Sequence, residues 1–308
     1  MSIARMVTSH FTASQVTSFL MALKSLVRPH SVVYTGLFRR SSSIVNIMEV
    51  GKPMQIITEG TATMHYDPKE VVFYNKVQVL NRDLSIQVIK LYSETVRQEK
   101  MAKLEKRRAR NKDKTDTPSG STDPIVDDIA GITILDALAA SGLRSIRYLK
   151  EIPDVKHLTI NDLLPAATDL ARDNCQRNHV DMSKVIISNQ DATALMYTHR
   201  DPTQQYDVID LDPYGSAVPF LDGAVQAVRD GGLLCVTCTD MTALAGAYPE
   251  VCFAKYQSLP VKAKYGHEMA LRILLHSIDS TANRYVYMCD MYVYGYGSRH
   301  MWCTYTYT

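Results

Sequence analysis

The sequence predicts an α/β fold built on a mostly parallel, doubly wound sheet, and three observations predict it. Apolar runs recur after Gly131 at Ile132–Ala137, His157–Asp162, Lys184–Ser188, Tyr206–Asp212 and Gly232–Thr237. The stretches between them have helical character, and strand-helix alternation at this spacing sets successive strands parallel. Asp136, Asp162 and Asp212 end the first, second and fourth runs, and Asp191 follows the third by a few residues. Ligands of such sheets sit beyond the carboxyl ends of the strands. An Asp also caps a following helix, which accounts for one or two of these residues; four on one edge point to a polar ligand.

The whole chain sets bounds on this reading. Its 308 residues, 46% hydrophobic, are enough to bury a substantial core. A formal charge of +2 and a pI near 8.1 are too mild to indicate a nucleic-acid partner, which requires clustered Lys and Arg. The six cysteines are scattered, and a chain of this size needs no disulfide framework, so they are read as reduced thiols. Cys235 and Cys238 have CxxC spacing but sit inside an apolar run with no second ligand pair nearby, so no metal is expected. No stretch approaches the roughly 18 apolar residues of a membrane span, and the chain is read as soluble.

Before the sheet, residues 1–48 contain no Asp or Glu but carry Arg5, Lys24, Arg28, Arg39 and Arg40 among Ser, Thr and apolar residues. That is the composition of a mitochondrial transit segment; the alternative is a plain extension. A start at Met48 would remove it and leave the chain to the nucleus or cytoplasm. Residues 49–110 form an N-terminal cap and helix. Gln55–Gly60 and Val71–Asn75 read as short strands, and Leu84, Val88, Ile89, Leu91, Tyr92 and Val96 recur at helical spacing that runs on into the basic Lys103–Arg110. That basic end is a solvated helix terminus, a nuclear-import signal or a phosphate contact. Residues 111–131, rich in Asp, Thr, Ser, Pro and Gly, are a flexible insert, and 132–285 form the main domain.

The turn after the first strand argues about the ligand. A dinucleotide site needs Gly-x-Gly-x-x-Gly there, so that backbone can approach pyrophosphate. Asp136-Ala-Leu-Ala-Ala-Ser-Gly142-Leu-Arg144 has one glycine. A cofactor without phosphate, such as S-adenosylmethionine, asks instead for an acid on its ribose hydroxyls, groups around its amino-acid end and a polar contact to its adenine. Asp162 stands where the ribose acid belongs, Arg144 is placed to pair with the methionine carboxylate, and Asp191 with the backbone of Ala192 can meet the adenine.

The fourth strand ends in Asp212-Pro213-Tyr214-Gly215. An exocyclic amine on a base is a poor nucleophile because its lone pair is delocalised into the ring. A carboxylate that accepts its N–H, a carbonyl held rigidly by proline and an aromatic ring stacked on the base together orient it for attack. Asp212, Pro213 and Tyr214 supply that set. Asp-Pro turns are common, so the tripeptide gains its meaning from its place at the end of a parallel strand.

Several longer motifs join it: Val72-Phe-Tyr-Asn75, Asn81-Arg-Asp83, Ser141-Gly-Leu-Arg-Ser-Ile-Arg147, Asn161-Asp162, Asp212-Pro-Tyr-Gly-Ser216 and Tyr265-Gly-His-Glu-Met-Ala-Leu-Arg272. Together, from about Gln55 to Tyr285, they resemble the tRNA guanine-26 N2-dimethyltransferase family. The resemblance implies a class I S-adenosylmethionine-dependent methyltransferase fold, S-adenosylmethionine as methyl donor, tRNA as partner, and N2-methyl- and N2,N2-dimethylguanosine as products. It also carries cofactor contacts onto Arg82, Arg144, Asp162, Asp191 and Ala192. Arg82 comes from the resemblance alone; the local pattern would make it a surface residue at a helix start.

Two features depart from the family pattern. Lys76 follows Asn75 where the family has proline. Residues 286–308 read as a divergent, low-complexity tail in which Val286, Met288, Asp290 and Tyr292 alternate as an improvised edge strand, in place of the last strands and the carboxyl-terminal domain that grips tRNA. The sequence therefore leaves open a truncated, noncatalytic form that binds cofactor or tRNA; an amino-methyltransferase acting on DNA fits the remaining motifs less well.

Overall fold

The computed structural model describes residues 55–66, 74–112, 131–285, 289–292 and 301–307, all within one compact unit, Pro53–Thr308. The transit-type segment 1–48, Val71–Phe73 and residues 113–130 of the insert lie outside them.

Strands β1 (Gln55–Glu59) and β2 (Ala62–Tyr66) pair antiparallel around Gly60, whose φ of +55° suits glycine. Ala62–Tyr66 is the partner of the predicted Gln55–Gly60 strand; most of the predicted Val71–Asn75 piece lies outside the described residues. The hairpin is anchored by two asparagines one helical turn apart on α3 (Pro165–Arg177) and its C-cap: Asn174 accepts from the His65 amide (2.8 Å), and Asn178 accepts from the Thr63 amide (2.8 Å) and donates to its carbonyl (2.6 Å). Helix α1 (Val79–Lys112) is the long helix the periodicity predicts; Leu84, Ile86, Ile89 and Tyr92 bury its apolar stripe, while Lys103, Lys106 and Arg107 stand exposed near its far end.

The central sheet contains β3 (Ile132–Asp136), β4 (Val155–Asn161), β5 (Val185–Ser188), β6 (Tyr206–Leu211) and β7 (Val228–Cys238), all parallel, in the order β5-β4-β3-β6-β7. Two strands complete it. Met301–Tyr307 pairs antiparallel with β7, and Cys289–Tyr292 pairs antiparallel with that strand at the edge. The stretch 286–308, expected as a low-complexity tail, thus supplies two strands: Met301–Tyr307 covers the otherwise open edge of β7, and Cys289–Tyr292, within the alternation noted there, pairs outside it.

Side chains alternate between the two faces. Ile134, Val208, Leu233 and Cys235 pack with the hairpin, α1, α2 (Leu143–Glu151) and α3. Leu135, Ile209, Leu234, Val236 and Cys238 pack with α4 (Ala192–Thr198), α5 (Val218–Ala227), α6 (Met241–Leu244), α7 (Pro249–Tyr256) and α8 (Gly266–Asn283). Cys235 and Cys238 therefore face opposite layers and cannot share a metal. Among the described residues no helix is long and apolar enough to cross a membrane.

Candidate active site

The carboxyl ends of β3, β4 and β6 open onto a cleft of about 750 Å³. Its walls include Asp136, Asp162 and Asp212, Gln78 just before α1 and Arg82 in its first turn, and the aliphatic side chains of Leu138, Leu143, Leu164 and Leu170.

Local backbone shapes this floor. Gly142, at φ +75°, turns the chain from β3 into α2, and a Cβ there would stand 2.9 Å from that of Ala171. Glycine alone answers both demands. Asp162 holds the same loop: its carboxylate accepts from the Ala140 amide (2.9 Å) and the Leu164 amide (3.0 Å). Fully buried Asn161 fastens three loops at once. It donates to the carbonyls of Ala137 (3.0 Å) and Gln190 (3.1 Å) and accepts from the Gln190 amide (3.3 Å).

Beneath the cleft lies a buried charge network. Arg144, 6% exposed, donates through Nη1 to Ser85 and Asp210 (both 3.1 Å) and through Nη2 to Asn81 (2.9 Å) and Asp212. Tyr148 donates to the same oxygen of Asp210, and Ser145 donates to Asp136 (2.6 Å). One cation thus faces three carboxylates, with consequences for protonation. Burial, then the charge of Asp210, pushes the Asp136 carboxyl up to about 7. Asp210 is raised too, by burial, against the pull of Arg144. Arg144 is raised despite burial, because Asp210 and Asp212 hold its charge in place.

A second buried cluster ties the hairpin to the cleft. Glu59 accepts from Arg82 at Nε (2.6 Å) and Nη2 (2.5 Å), and from Arg147 Nη1 (2.8 Å). Arg147 also meets Asp83 (2.7 Å) and Glu151 (2.9 Å). Burial works against the Glu59 charge, but the bonds and charges of Arg82 and Arg147 outweigh it and lower its pKa below the ordinary glutamate value.

The loop after β6 carries Asp212, Pro213 and Tyr214 at the mouth of the cleft. It is pinned to the end of β7: the Gly215 amide donates to Thr239 Oγ1 and the Thr239 amide to the Gly215 carbonyl, both at 2.9 Å. Tyr214 is 77% exposed; partial burial, then the charges of Asp212 and Asp162, raises its phenol pKa, so it stays neutral at physiological pH.

Of the residues expected from sequence, Arg82, Arg144, Asp162, Asp212, Pro213 and Tyr214 meet in this one cleft. Arg82 is no surface residue; it is 8% exposed and lines the cleft. Asp191 and Ala192 are not among the lining residues: Asp191 caps α4 by accepting from the Ala194 amide (2.9 Å), and Ala192 is packed into the core. Both Nη groups of Arg144 are occupied by protein acceptors. The sequence reading passed over Asn81, Ser85, Tyr148 and Glu59 as functional side chains. Its available signal was a polar stripe, Gln78, Asn81, Arg82 and Ser85, at helical spacing on a helix whose neighbouring positions are apolar. Lys76 begins a short 3-10 turn capped by Asn75, which accepts from the Val77 amide (2.9 Å), so the turn forms without proline.

A family model described as N2,N2-dimethylguanosine tRNA methyltransferase matches residues 51–297. The chain belongs to that family. The family match runs past Tyr285, where the motif resemblance stops, into the segment that holds the edge strand. The chain is 45% identical over 249 residues to the tRNA (guanine(26)-N(2))-dimethyltransferase of Schizosaccharomyces pombe, covering 74% of this chain and 44% of that protein. It is 40% identical over 247 residues to the Saccharomyces cerevisiae tRNA (guanine(26)-N(2))-dimethyltransferase, mitochondrial, covering 75% and 43%. It thus spans less than half the length of these relatives. Among solved structures it is similar to Trm1 from Pyrococcus horikoshii in complex with S-adenosyl-L-methionine, with a TM-score of 0.64, 27% identity, and coverage of 82% of this chain and 61% of that one. The fold is that of the class I S-adenosylmethionine-dependent methyltransferases.

Proposed function

We propose that this chain transfers methyl groups from S-adenosylmethionine to N2 of guanine 26 in tRNA, giving N2-methyl- and N2,N2-dimethylguanosine. The observation that carries the reading is the position of Asp212-Pro213-Tyr214 at the mouth of a cleft whose walls are acidic and aliphatic. The fit to the cofactor rests on charge and shape. Arg144 leaves Asp136, Asp210 and Asp212 with excess negative potential, which favours a cation, and Leu138, Leu143, Leu164 and Leu170 offer apolar surface to a flat heterocycle. Bound there, S-adenosylmethionine supplies a methyl group made electrophilic by its sulfonium charge.

The chain's own residues do the rest. Asp162, oriented by two backbone amides, accepts from the ribose hydroxyls. Arg82 meets the amino-acid end of the cofactor, and Arg144 serves there chiefly by fixing Asp212. Asp191 and Ala192, just beyond Asn189, which donates to the Asp162 carbonyl (2.9 Å), are assigned to the adenine side. Asp212 accepts an N–H of the guanine amine and turns its lone pair toward the methyl group; as the N–C bond forms and the sulfonium S–C bond breaks to leave a neutral thioether, the nitrogen gives up one proton to that carboxylate. Pro213 fixes the adjoining carbonyl, and exposed Tyr214 stacks on a base taken out of its helix. A mitochondrial site of action is supported by the acid-free segment 1–48 and by the mitochondrial naming of the budding-yeast relative.

Purified chain, labelled S-adenosylmethionine and tRNA with or without guanine at position 26 test the proposal. Label that enters tRNA only when that guanine is present is the expected result. Cofactor binding without transfer to either tRNA would leave the noncatalytic reading in its place.

A further inference from the structure

The connection that carries α6 into α8 passes beside the catalytic loop, and its chemistry is not used by the methyl-transfer site. Lys255 pairs with Asp240 (2.8 Å), and the Tyr256 hydroxyl bonds both Asp240 (3.1 Å) and Ser216 (2.8 Å), two residues beyond Tyr214. The two ends of the connection are folded together. A Cβ on Gly246 would stand 3.0 Å from the Lys262 amide, and one on Gly266 would stand 3.9 Å from the Ala245 side chain. Tyr248 and Tyr265, which follow and precede those glycines closely, are thereby carried on adjacent segments.

The outer surface so formed is unusual in composition. Tyr248 (54% exposed) and Tyr265 (61%) stand out in solvent with Leu259 and Val261, interleaved with exposed Lys262 and Lys264. From Gln257 to His267 there is no Asp or Glu. Tyr265 also opens the longest sequence motif, Tyr265–Arg272, to which the catalytic cleft gives no role.

We propose that this surface grips the RNA strand on one side of the extruded base, with Tyr248 and Tyr265 stacking on unpaired bases and Lys262 and Lys264 neutralising phosphates. The inference rests on the methyl-transfer reading, because exposed Tyr214 supplies the point from which the strand is led away. Aromatic rings interleaved with lysines suit single-stranded RNA: every base has a face to stack on, and each neutralised phosphate releases counterions. The centre of a protein–protein interface is ordinarily depleted of lysine.

The test compares the full chain with Tyr248→Ala, Tyr265→Ala and the double variant Lys262→Glu/Lys264→Glu. Three measurements are made on each: affinity for tRNA bearing guanine 26 across a salt series, affinity for S-adenosylmethionine, and methyl transfer. The expected result is about tenfold weaker tRNA binding for each tyrosine variant. The lysine variant flattens the slope of log affinity against log salt by about one to two, and cofactor affinity is unchanged in all, which also shows that they fold. Wild-type tRNA affinity in every variant would overturn the inference and leave the methyl-transfer proposal standing. No transfer by the wild-type chain, with binding still weakened in the variants, would overturn the methyl-transfer proposal alone. Unaltered tRNA binding with altered self-association in sedimentation would assign the face to a second copy and overturn it as an RNA site.

Discussion

Arg144 Nη2 donates to the carboxylate of Asp212, so the cation buried under the cleft and the acid at its mouth are joined by a direct ion pair. The other Nη2 acceptor is Asn81, and Nη1 is taken by Ser85 and Asp210. The orientation of the Asp212 carboxylate is therefore set by a guanidinium whose own geometry is fixed from α1 and β6.

Arg144→Lys should uncouple charge from geometry. Lysine retains the positive charge but has no planar fork to reach both Asp210 and Asp212. Methyl transfer is expected to fall about a hundredfold, the order of loss that a misplaced reacting group produces, while the fold persists. Arg144→Met removes the charge and should cost about 3–5 kcal/mol of stability, because buried Asp210 and half-buried Asp212 lose their cationic partner. Urea unfolding and methyl transfer on both variants check this; wild-type stability and activity in both would mean that neither the charge nor the fork matters.

The layout of the main sheet could be read before the structure because strands such as Tyr206–Leu211 and Ile132–Asp136 are buried on both faces and so appear as continuous apolar runs ended by acids. The strand formed by Cys289–Tyr292 was legible only as an alternation, since its identity as a strand comes from pairing with Met301–Tyr307, which in turn pairs with β7. The cleft-lining acids at strand ends were legible for the same geometric reason. Glu59 was not: it lies on a hairpin distant in sequence from both arginines it joins, and no local spacing links positions 59, 82 and 147. Asn81 and Ser85 were missed because a buried polar stripe on a helix looks like an ordinary solvated face until its neutralising partner is located.

Glu59→Gln tests that long-range link. Arg147 would keep Asp83 and Glu151, whereas Arg82 would lose its charged partner and retain a neutral amide oxygen, the Asn75 carbonyl at 3.4 Å and the Tyr74 ring. The variant should weaken S-adenosylmethionine binding more than it lowers the midpoint of unfolding. Because the folded-state pKa of Glu59 lies below its unfolded value, its contribution to stability is present above about pH 4.5 and disappears as pH falls below that. Acid unfolding of the wild type should accordingly be steeper than that of the variant; identical acid profiles would remove Glu59 from the account.

Asp136 acts in the opposite sense. Its folded-state pKa near 7 stands above the ordinary value of 3.8, raised by burial and then by Asp210. Between those two pH values the folded chain holds a proton that the unfolded chain has released, so stability falls as pH rises across that window. Asp136→Asn should flatten this dependence in urea titrations from pH 4.5 to 7.5. Above pH 7 the ionised carboxylate adds to the negative potential of the cleft, so wild-type affinity for S-adenosylmethionine should increase from pH 6 to 8, and that of the variant should not. Parallel pH profiles for the two proteins would place the titrating group elsewhere.

Asp212→Asn and Asp212→Ala separate orientation from proton acceptance. Asparagine keeps an oxygen that can accept the amine N–H but cannot take its proton, and it leaves Arg144 with Asp210 as its remaining anionic hydrogen-bond partner. If the carboxylate does both tasks, Asp212→Asn should lower methyl transfer about 10²–10⁴-fold, the range of general-base contributions, and Asp212→Ala should lower it further. Both should bind S-adenosylmethionine nearly as well as the wild type, since Asp136 and Asp162 remain to hold the negative potential. Single-turnover transfer beside equilibrium cofactor binding gives the answer. Turnover retained in Asp212→Asn but lost in Asp212→Ala would assign Asp212 to orientation alone, with the proton passing to solvent.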